Sequence, residues 1–218
     1  AGVCACKMDV SEEITLLVDL GTNGEMVLGN RQKRLACATA AGPAFEGGVN
    51  RGIWGADMIS LLARLREEGR LDETGLLAEP YFETGIRIGN VLVTEEAIRS
   101  VQLAKAAIAA GIEILMTGYG ITEEKIDRVV LAGGFGYYLK PEAAAQIGLL
   151  PEKLAKKTFS GGNTVLSGTL MTGRKLLGGA DWPDTERYLE QIARETKVLN
   201  LAEQPTFKDR YICHINLK

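Results

Sequence analysis

An α/β fold is predicted by three features of the sequence. Three short apolar runs open the chain, a long stretch with helical spacing fills its middle, and a buried-strand run, Val129-Val130-Leu131-Ala132, ends directly in glycines. Strands separated by helical patterns point to this class. The first three strands are expected over residues 14–20, 25–30 and 33–39. Their links are far too short for crossovers, so they form an antiparallel meander.

The turn between the first two strands is Asp19-Leu20-Gly21-Thr22-Asn23-Gly24. Successive backbone N–H groups in such a turn can form a small anion-binding concavity. Gly21 and Gly24 are expected to supply positive φ angles and to leave no Cβ in a ligand's way. Thr22 and Asn23 add short donors, and Asp19 offers a carboxylate for a hydrated Mg²⁺ beside a phosphate. Asn-Gly between strands is equally the signal of a plain hairpin turn.

A glycine-rich loop, Ala41 to Gly48, follows the third strand. A helix is expected over 55–68, with Met58, Leu61, Leu62 and Leu65 on one face. Residues 69–80 carry turn chemistry, and 86–93 hold a short strand. Thr94 is placed to cap a long helix, with Glu95 and Glu96 at its positive end. Ile98, Val101, Ile108, Ile112 and Leu115 form its buried stripe, and Lys105 falls on that stripe. A lysine there is explained by snorkelling of its stem to water. The many alanines and Gly111 suit close packing against another helix, or simply good helix propensity.

The strand at 129–132 runs into Gly133-Gly134-Phe135-Gly136. Ligands of α/β sheets sit at the carboxyl ends of strands, and paired glycines there admit a flat ligand to the main chain. An ordinary glycine-rich connection has the same appearance. A dinucleotide fingerprint fits badly, because Leu139 stands where its third glycine belongs. Pro141 opens a short helix ending near Gly148. A strand is expected at 156–160, a helix from Gly161-Gly162-Asn163 to Leu177, a helix over 184–195, a strand near 197–201 and a terminal strand at 210–217.

The whole chain, 1–218, is expected to form a single domain with an ample core. A net charge of −3 without a basic stripe argues against nucleic-acid binding. No apolar run reads as membrane-spanning and no signal segment is recognisable, so a cytoplasmic location and no membrane partner are expected. A start at Ala1 suggests processing or truncation. Cys4, Cys6, Cys213 and His214 suggest a three-Cys, one-His metal site if the termini meet, though their spacing matches no standard pattern. Reduced cytosolic thiols are the plainer reading.

Four stretches occur in order: LLVDLGTNGEMVLGN (16–30), ATAAGPAFEGG (38–48), QLAKAAIAAGIEIL (102–115) and VVLAGGFGYYLKPEAAAQIGLLP (129–151). The two glycine sites resemble the phosphate and adenosine motifs of the superfamily of acetate and sugar kinases, 70-kDa heat-shock chaperones and actin. The four stretches together resemble the C-terminal ATPase portion of the reductive activators of corrinoid proteins. The resemblance implies a ribonuclease-H-like lobe of the actin-like ATPase type, the second of two. The family's first lobe and its N-terminal ferredoxin-type domain, which carries the iron–sulfur cluster, are not found in these residues. The tract between Gly48 and Ile53 is shorter than in the family.

The function implied is binding and hydrolysis of ATP with Mg²⁺, coupled to reduction of a corrinoid protein from Co(II) to Co(I). Partners would be that corrinoid protein, a first ATPase lobe and a second copy of the chain. The site implied comprises Asp19, Gly21, Thr22, Asn23, Gly24, Gly133, Gly134 and Phe135, with Mg²⁺ held to Asp19 through water. Gln102 and Lys105 lie on a segment similar to the chaperone helix that reaches adenine or ribose. The helix ending at Leu177 resembles the one that contacts the other lobe, its glycines being otherwise merely tolerated. Two further readings stand beside this one: a non-catalytic interaction module of the same fold, and another member of the superfamily, a kinase or dehydratase activator. Catalytic residues are not identifiable from the sequence.

Overall fold

A computed structural model describes residues 1–40, 55–89 and 91–218. The glycine-rich loop at 41–48 lies outside them. Helix α1 (Gly2–Ala5) leads into the meander β1 (Thr15–Leu20), β2 (Gly24–Gly29) and β3 (Arg34–Thr39). Helix α2 (Gly55–Glu67) follows, then the hairpin β4 (Ile86–Ile88) and β5 (Val91–Val93), and the long helix α3 (Glu95–Tyr119). Strand β6 (Arg128–Ala132) passes into α4 (Gly133–Gly136), α5 (Pro141–Gln146) and α6 (Glu152–Ala155). The remainder is β7 (Thr158–Gly162), α7 (Thr164–Leu177), α8 (Trp182–Glu195), β8 (Thr196–Val198) and α9 (Phe207–Cys213).

The main sheet has the order β7-β6-β1-β2-β3-β8. β1, β2 and β3 are mutually antiparallel, β6 and β7 run parallel to β1, and β8 runs parallel to β3. This is the α/β arrangement expected: a meander, then parallel strands reached through helices.

Alternation along β1 divides the molecule into layers. Leu16, Val18 and Leu20 enter the large core shared with α2 and α3. Leu17 points the other way, into a small cluster with Val3, Cys6, Met8, Val130 and Ala132. α1 packs on α7 over that second face.

Helix α3 is capped as its sequence suggests: the Thr94 hydroxyl accepts from the Ala97 amide at 3.3 Å, and left-handed Gly120 closes the end. Its length and composition would suffice to cross a membrane, which the sequence reading overlooked, but 78% of the apolar window is buried inside the fold. Helix α3 packs both on the sheet, through β2 and β3, and on helix α9. A Cβ on Gly111 would strike the Met26 methyl and lie 3.6 Å from Cys37 Sγ, so the glycine lets α3 sit directly on β2 and β3.

One expectation at the end of the chain changes. Residues 207–213 are helical, where a strand was expected over 210–217. The cause is tertiary. Arg210 and His214, one turn apart, both reach Glu113 on α3, at 3.2 and 2.8 Å. β8 covers the free edge of β3, and the buried Arg34 guanidinium pairs with Glu195 at 2.6 Å beside it.

Candidate functional site

The sheet brings two of the glycine sites together. β1 and β6 are parallel neighbours, with Asp19 opposite Ala132. Asp19 and Gly133 therefore meet at the carboxyl ends of adjacent strands, where open sheets bind ligands. The contact is close. A Cβ on Gly133 would lie 2.5 Å from Asp19 Oδ1 and against the Leu20 carbonyl. Gly133 also has φ +85°, a left-handed conformation.

Asp19 is oriented from its other side. It shares the second face of β1 with Leu17, where Thr164 Oγ1 donates to its Oδ2 at 3.1 Å. Thr164 is the first residue of α7 and only 3% exposed. Asn163 caps that helix by accepting from the Leu166 amide at 2.8 Å. Sequence reading passed over Thr164. A buried threonine opening a largely exposed helix becomes informative only once β1 and α7 are seen together.

The turn after β1 behaves differently from expectation. Leu20 and Gly24 pair across the hairpin, and the Gly21 amide donates to the Asn23 carbonyl at 2.9 Å. Neither Gly21 nor Gly24 has positive φ. A Cβ on Gly24 would make ordinary van der Waals contact with Ile108, Thr39 and Leu20 at 3.4–3.6 Å, so neither packing nor backbone conformation demands glycine there. Gly21 faces open space, and Thr22 and Asn23 are exposed beside it. The turn is a plain hairpin whose tip is open to solvent.

On the other side of the β6 end lies a cavity of about 410 Å³. Its described lining residues are Gly134, Tyr138 and, from the first turn of α2, Ala56 and Asp57. Gly134 is exposed, and a Cβ there would meet nothing within 4 Å. Its φ is not positive, so Gly133 carries the conformational demand and Gly134 the open approach. Phe135, expected among ligand contacts, is 7% exposed and belongs to the main core. It supports the loop from beneath.

Gln102 and Lys105 are engaged by their own chain. Gln102 Nε2 donates to the Thr74 carbonyl at 2.9 Å. The Lys105 ammonium donates to the Asn216 carbonyl. Both residues are almost wholly buried, and neither is among the described lining of the Gly134 cavity. Burial, with Lys218 nearby, pulls the Lys105 pKa down to about 8. The snorkelling explanation fails with them, since Lys105 is 1% exposed.

The four-residue metal site suggested by the termini is not assembled. Cys4 and Cys6 lie with α1 on the second face, whereas Cys213 and His214 lie with α9 against α3 on the first. Burial pushes the Cys6 thiol up to about 11, with Arg128 opposing and Asp19 adding to the rise. Burial pushes Cys37 up to about 12. Protonated thiols are poor ligands. Among the described residues no three His, Cys, Asp or Glu side chains are grouped to hold a metal ion. Asp19 stands directly across the β1–β2 pair from Glu25, and a Mg²⁺ that keeps most of its water needs no more than one or two carboxylates.

Comparison with known proteins matches residues 13–51 and 49–218 to the C-terminal domain of RACo, an ASKHA domain. The two matched stretches meet beside the tract that appeared short in the sequence. The chain is 28% identical to the corrinoid activation enzyme RamQ of Eubacterium limosum, over 92% of this chain and 42% of that protein. It is 23% identical to the Co(II) methylated amine-specific corrinoid protein reductase of Methanosarcina barkeri, over 95% of this chain and 46% of that protein. A solved structure of a reductive activator for corrinoid, iron-sulfur protein superposes with a TM-score of 0.83 at 32% identity, over 99% of this chain and 41% of that one. The chain thus spans less than half the length of each of these proteins.

Proposed function

Because this chain belongs to the family of the C-terminal ASKHA domain of RACo, we propose that it is the nucleotide-binding lobe of an ATP-dependent reductive activator of corrinoid proteins. The observation that carries this reading is the meeting of Asp19 with Gly133 at the ends of β1 and β6. Mg²⁺ on Asp19 would neutralise phosphate charge, the Gly21–Gly24 turn would face the phosphates, and the Gly134 cavity would take the nucleoside. Reduction of Co(II) is uphill for a ferredoxin-type donor. Nucleotide binding and hydrolysis would favour the state in which electron transfer proceeds. In this reading the first lobe packs on α7, whose Leu166, Leu170 and Leu177 are 53%, 51% and 92% exposed. The corrinoid protein is the partner, and the cluster that donates electrons lies outside these residues.

The test is nucleotide titration by calorimetry together with optical detection of Co(I) on a corrinoid protein, using the protein with both lobes. MgATP is expected to bind and to be required for Co(I) formation, and Asp19→Asn is expected to abolish the requirement's benefit and weaken MgATP. Full activation without nucleotide would overturn the reading. The 218-residue chain alone is expected to bind nucleotide weakly and not to turn it over, since it supplies one wall of a two-lobed cleft.

Thr164 gives a finer prediction. Thr164→Val keeps the shape but removes the donor to Asp19 Oδ2, a hydrogen bond to a charged group worth about 1.5–3 kcal/mol. MgATP affinity is expected to fall about tenfold or more for such a loss, and Thr164→Ser is expected to restore it. Equal affinities for the valine and serine variants would remove Thr164 from this role.

A further inference from the structure

We propose that Asp57 and Tyr138 recognise the nucleoside end of the ligand: the Asp57 carboxylate accepts from a ribose hydroxyl, and the Tyr138 ring stacks on the base. The inference rests on the nucleotide-binding reading above and assigns its specificity to residues of α2 and of the segment after α4.

Three observations lead here. First, the polar groups expected to contact the nucleoside, Gln102 and Lys105, are committed to the Thr74 and Asn216 carbonyls. Recognition therefore needs other donors and acceptors. Second, the cavity beside Gly134 has a volume of about 410 Å³, within the range of small-ligand pockets. Third, its described lining supplies one carboxylate, Asp57, and one large ring, Tyr138, which is 70% exposed. Gly134 in the same lining carries no side chain, which leaves the approach to the main chain open.

The chemistry assigns the ends of the ligand. A carboxylate is an acceptor only, so Asp57 repels phosphate and pairs with neutral hydroxyl donors. Acidic side chains bind ribose hydroxyls in this way in dinucleotide folds. The phosphates then lie toward Asp19 and the Gly21–Gly24 turn, where Mg²⁺ offsets the negative charge. Base–aromatic stacking tolerates any base, because every base has a π-face. Tyr138 thus contributes affinity, and Asp57 contributes selection for ribose. The ordinary explanation of Asp57 is an acid in the first turn of a helix, favourable to the dipole. That role affects stability alone and is blind to the sugar.

The experiment is calorimetric titration of the full-length protein with MgATP, Mg-2′-deoxyATP and Mg-3′-deoxyATP, for the wild type, Asp57→Ala and Asp57→Asn. Thermal melts without nucleotide accompany each titration. The wild type is expected to prefer ATP to at least one deoxy analogue by about tenfold or more, as for a hydrogen bond to a charged group. Asp57→Ala is expected to reduce ATP affinity to the level of that analogue while leaving the analogue's own affinity unchanged. Asp57→Asn, which keeps an acceptor oxygen, is expected to fall between. Tyr138→Ala is expected to weaken all three nucleotides by a common factor. An unchanged ATP-to-deoxyATP ratio in a folded Asp57→Ala variant would overturn the proposal, as would an equal loss for all three. A wild type that binds none of the three would overturn the underlying nucleotide-binding reading, a result distinct from failure of the Asp57 assignment.

Discussion

Gly133→Val is expected to unfold the protein or to cost it several kcal/mol, whereas Gly134→Val is expected to fold normally and lose nucleotide affinity. The two glycines are adjacent and look equivalent in the sequence. Gly133 has φ +85°, and a Cβ there would sit 2.5 Å from Asp19 Oδ1 and against the Leu20 carbonyl. Strained backbone of this kind costs about 1–3 kcal/mol, and overpacking against main chain adds about 1–3 kcal/mol more. Gly134 has neither constraint. Its Cβ would meet nothing within 4 Å, so a valine would fill cavity space instead of core. Denaturant melts should separate the pair by at least 2 kcal/mol, by the same estimates. Calorimetry on the folded Gly134→Val protein should show MgATP affinity reduced by roughly tenfold or more, the cost of a blocked close approach. Equal stability for the two variants would mean that Gly133 relaxes readily and does not fix the position of Asp19.

Lys105→Met is expected to leave nucleotide affinity unchanged and to alter the dependence of stability on pH. The Lys105 pKa is held down at about 8 by burial, against 10.5 for a free lysine. Between these values the unfolded chain binds the proton and the folded chain does not, so stability rises with pH through that window. Below about pH 8 both states carry the charge and the folded protein bears the full penalty of burying it. One pKa unit corresponds to about 1.4 kcal/mol, so the penalty is roughly 3 kcal/mol. Methionine removes it, but leaves the Asn216 carbonyl without its donor at a cost of about 1–3 kcal/mol. Near pH 7 the variant should therefore match the wild type within about 2 kcal/mol, the difference of those two estimates. At pH 10.5 the wild type should have gained up to roughly 3 kcal/mol relative to the variant. Parallel stability profiles across this range would contradict the buried lysine, and a tenfold loss of MgATP affinity would return Lys105 to the nucleotide site.

Much of the architecture was legible because it is written locally. The bounds of β1, β2 and β3 fall within one residue of expectation, since apolar runs flanked by turn residues define them. The Thr94 cap and the stripe of α3 were equally local. What could not be read depends on distant partners. Lys105 bonds to a carbonyl 111 residues away, and nothing in the helix's own pattern announces it. Residues 210–217 carry enough β-favouring side chains to suggest a strand, whereas the helix at 207–213 is held by distant partners, among them Glu113 and Thr117 on α3. The two turn glycines misled as well. Glycine in a turn suggests positive φ, yet neither Gly21 nor Gly24 adopts it, and a Cβ would be accommodated at both.

Asp19 shares the second face of the sheet with Thr164, while the cavity at Gly134 opens toward α2 in the layer on the first face. A ligand that engages both must lie across the carboxyl edge of the strands, like a staple joining two pages. Its binding free energy then contains the alignment of α7 relative to α2. By linkage, whatever displaces α7 must change the ligand's affinity by the same factor that the ligand changes the position of α7. A partner seated on the exposed leucines of α7 would thus sense the ligand without touching it.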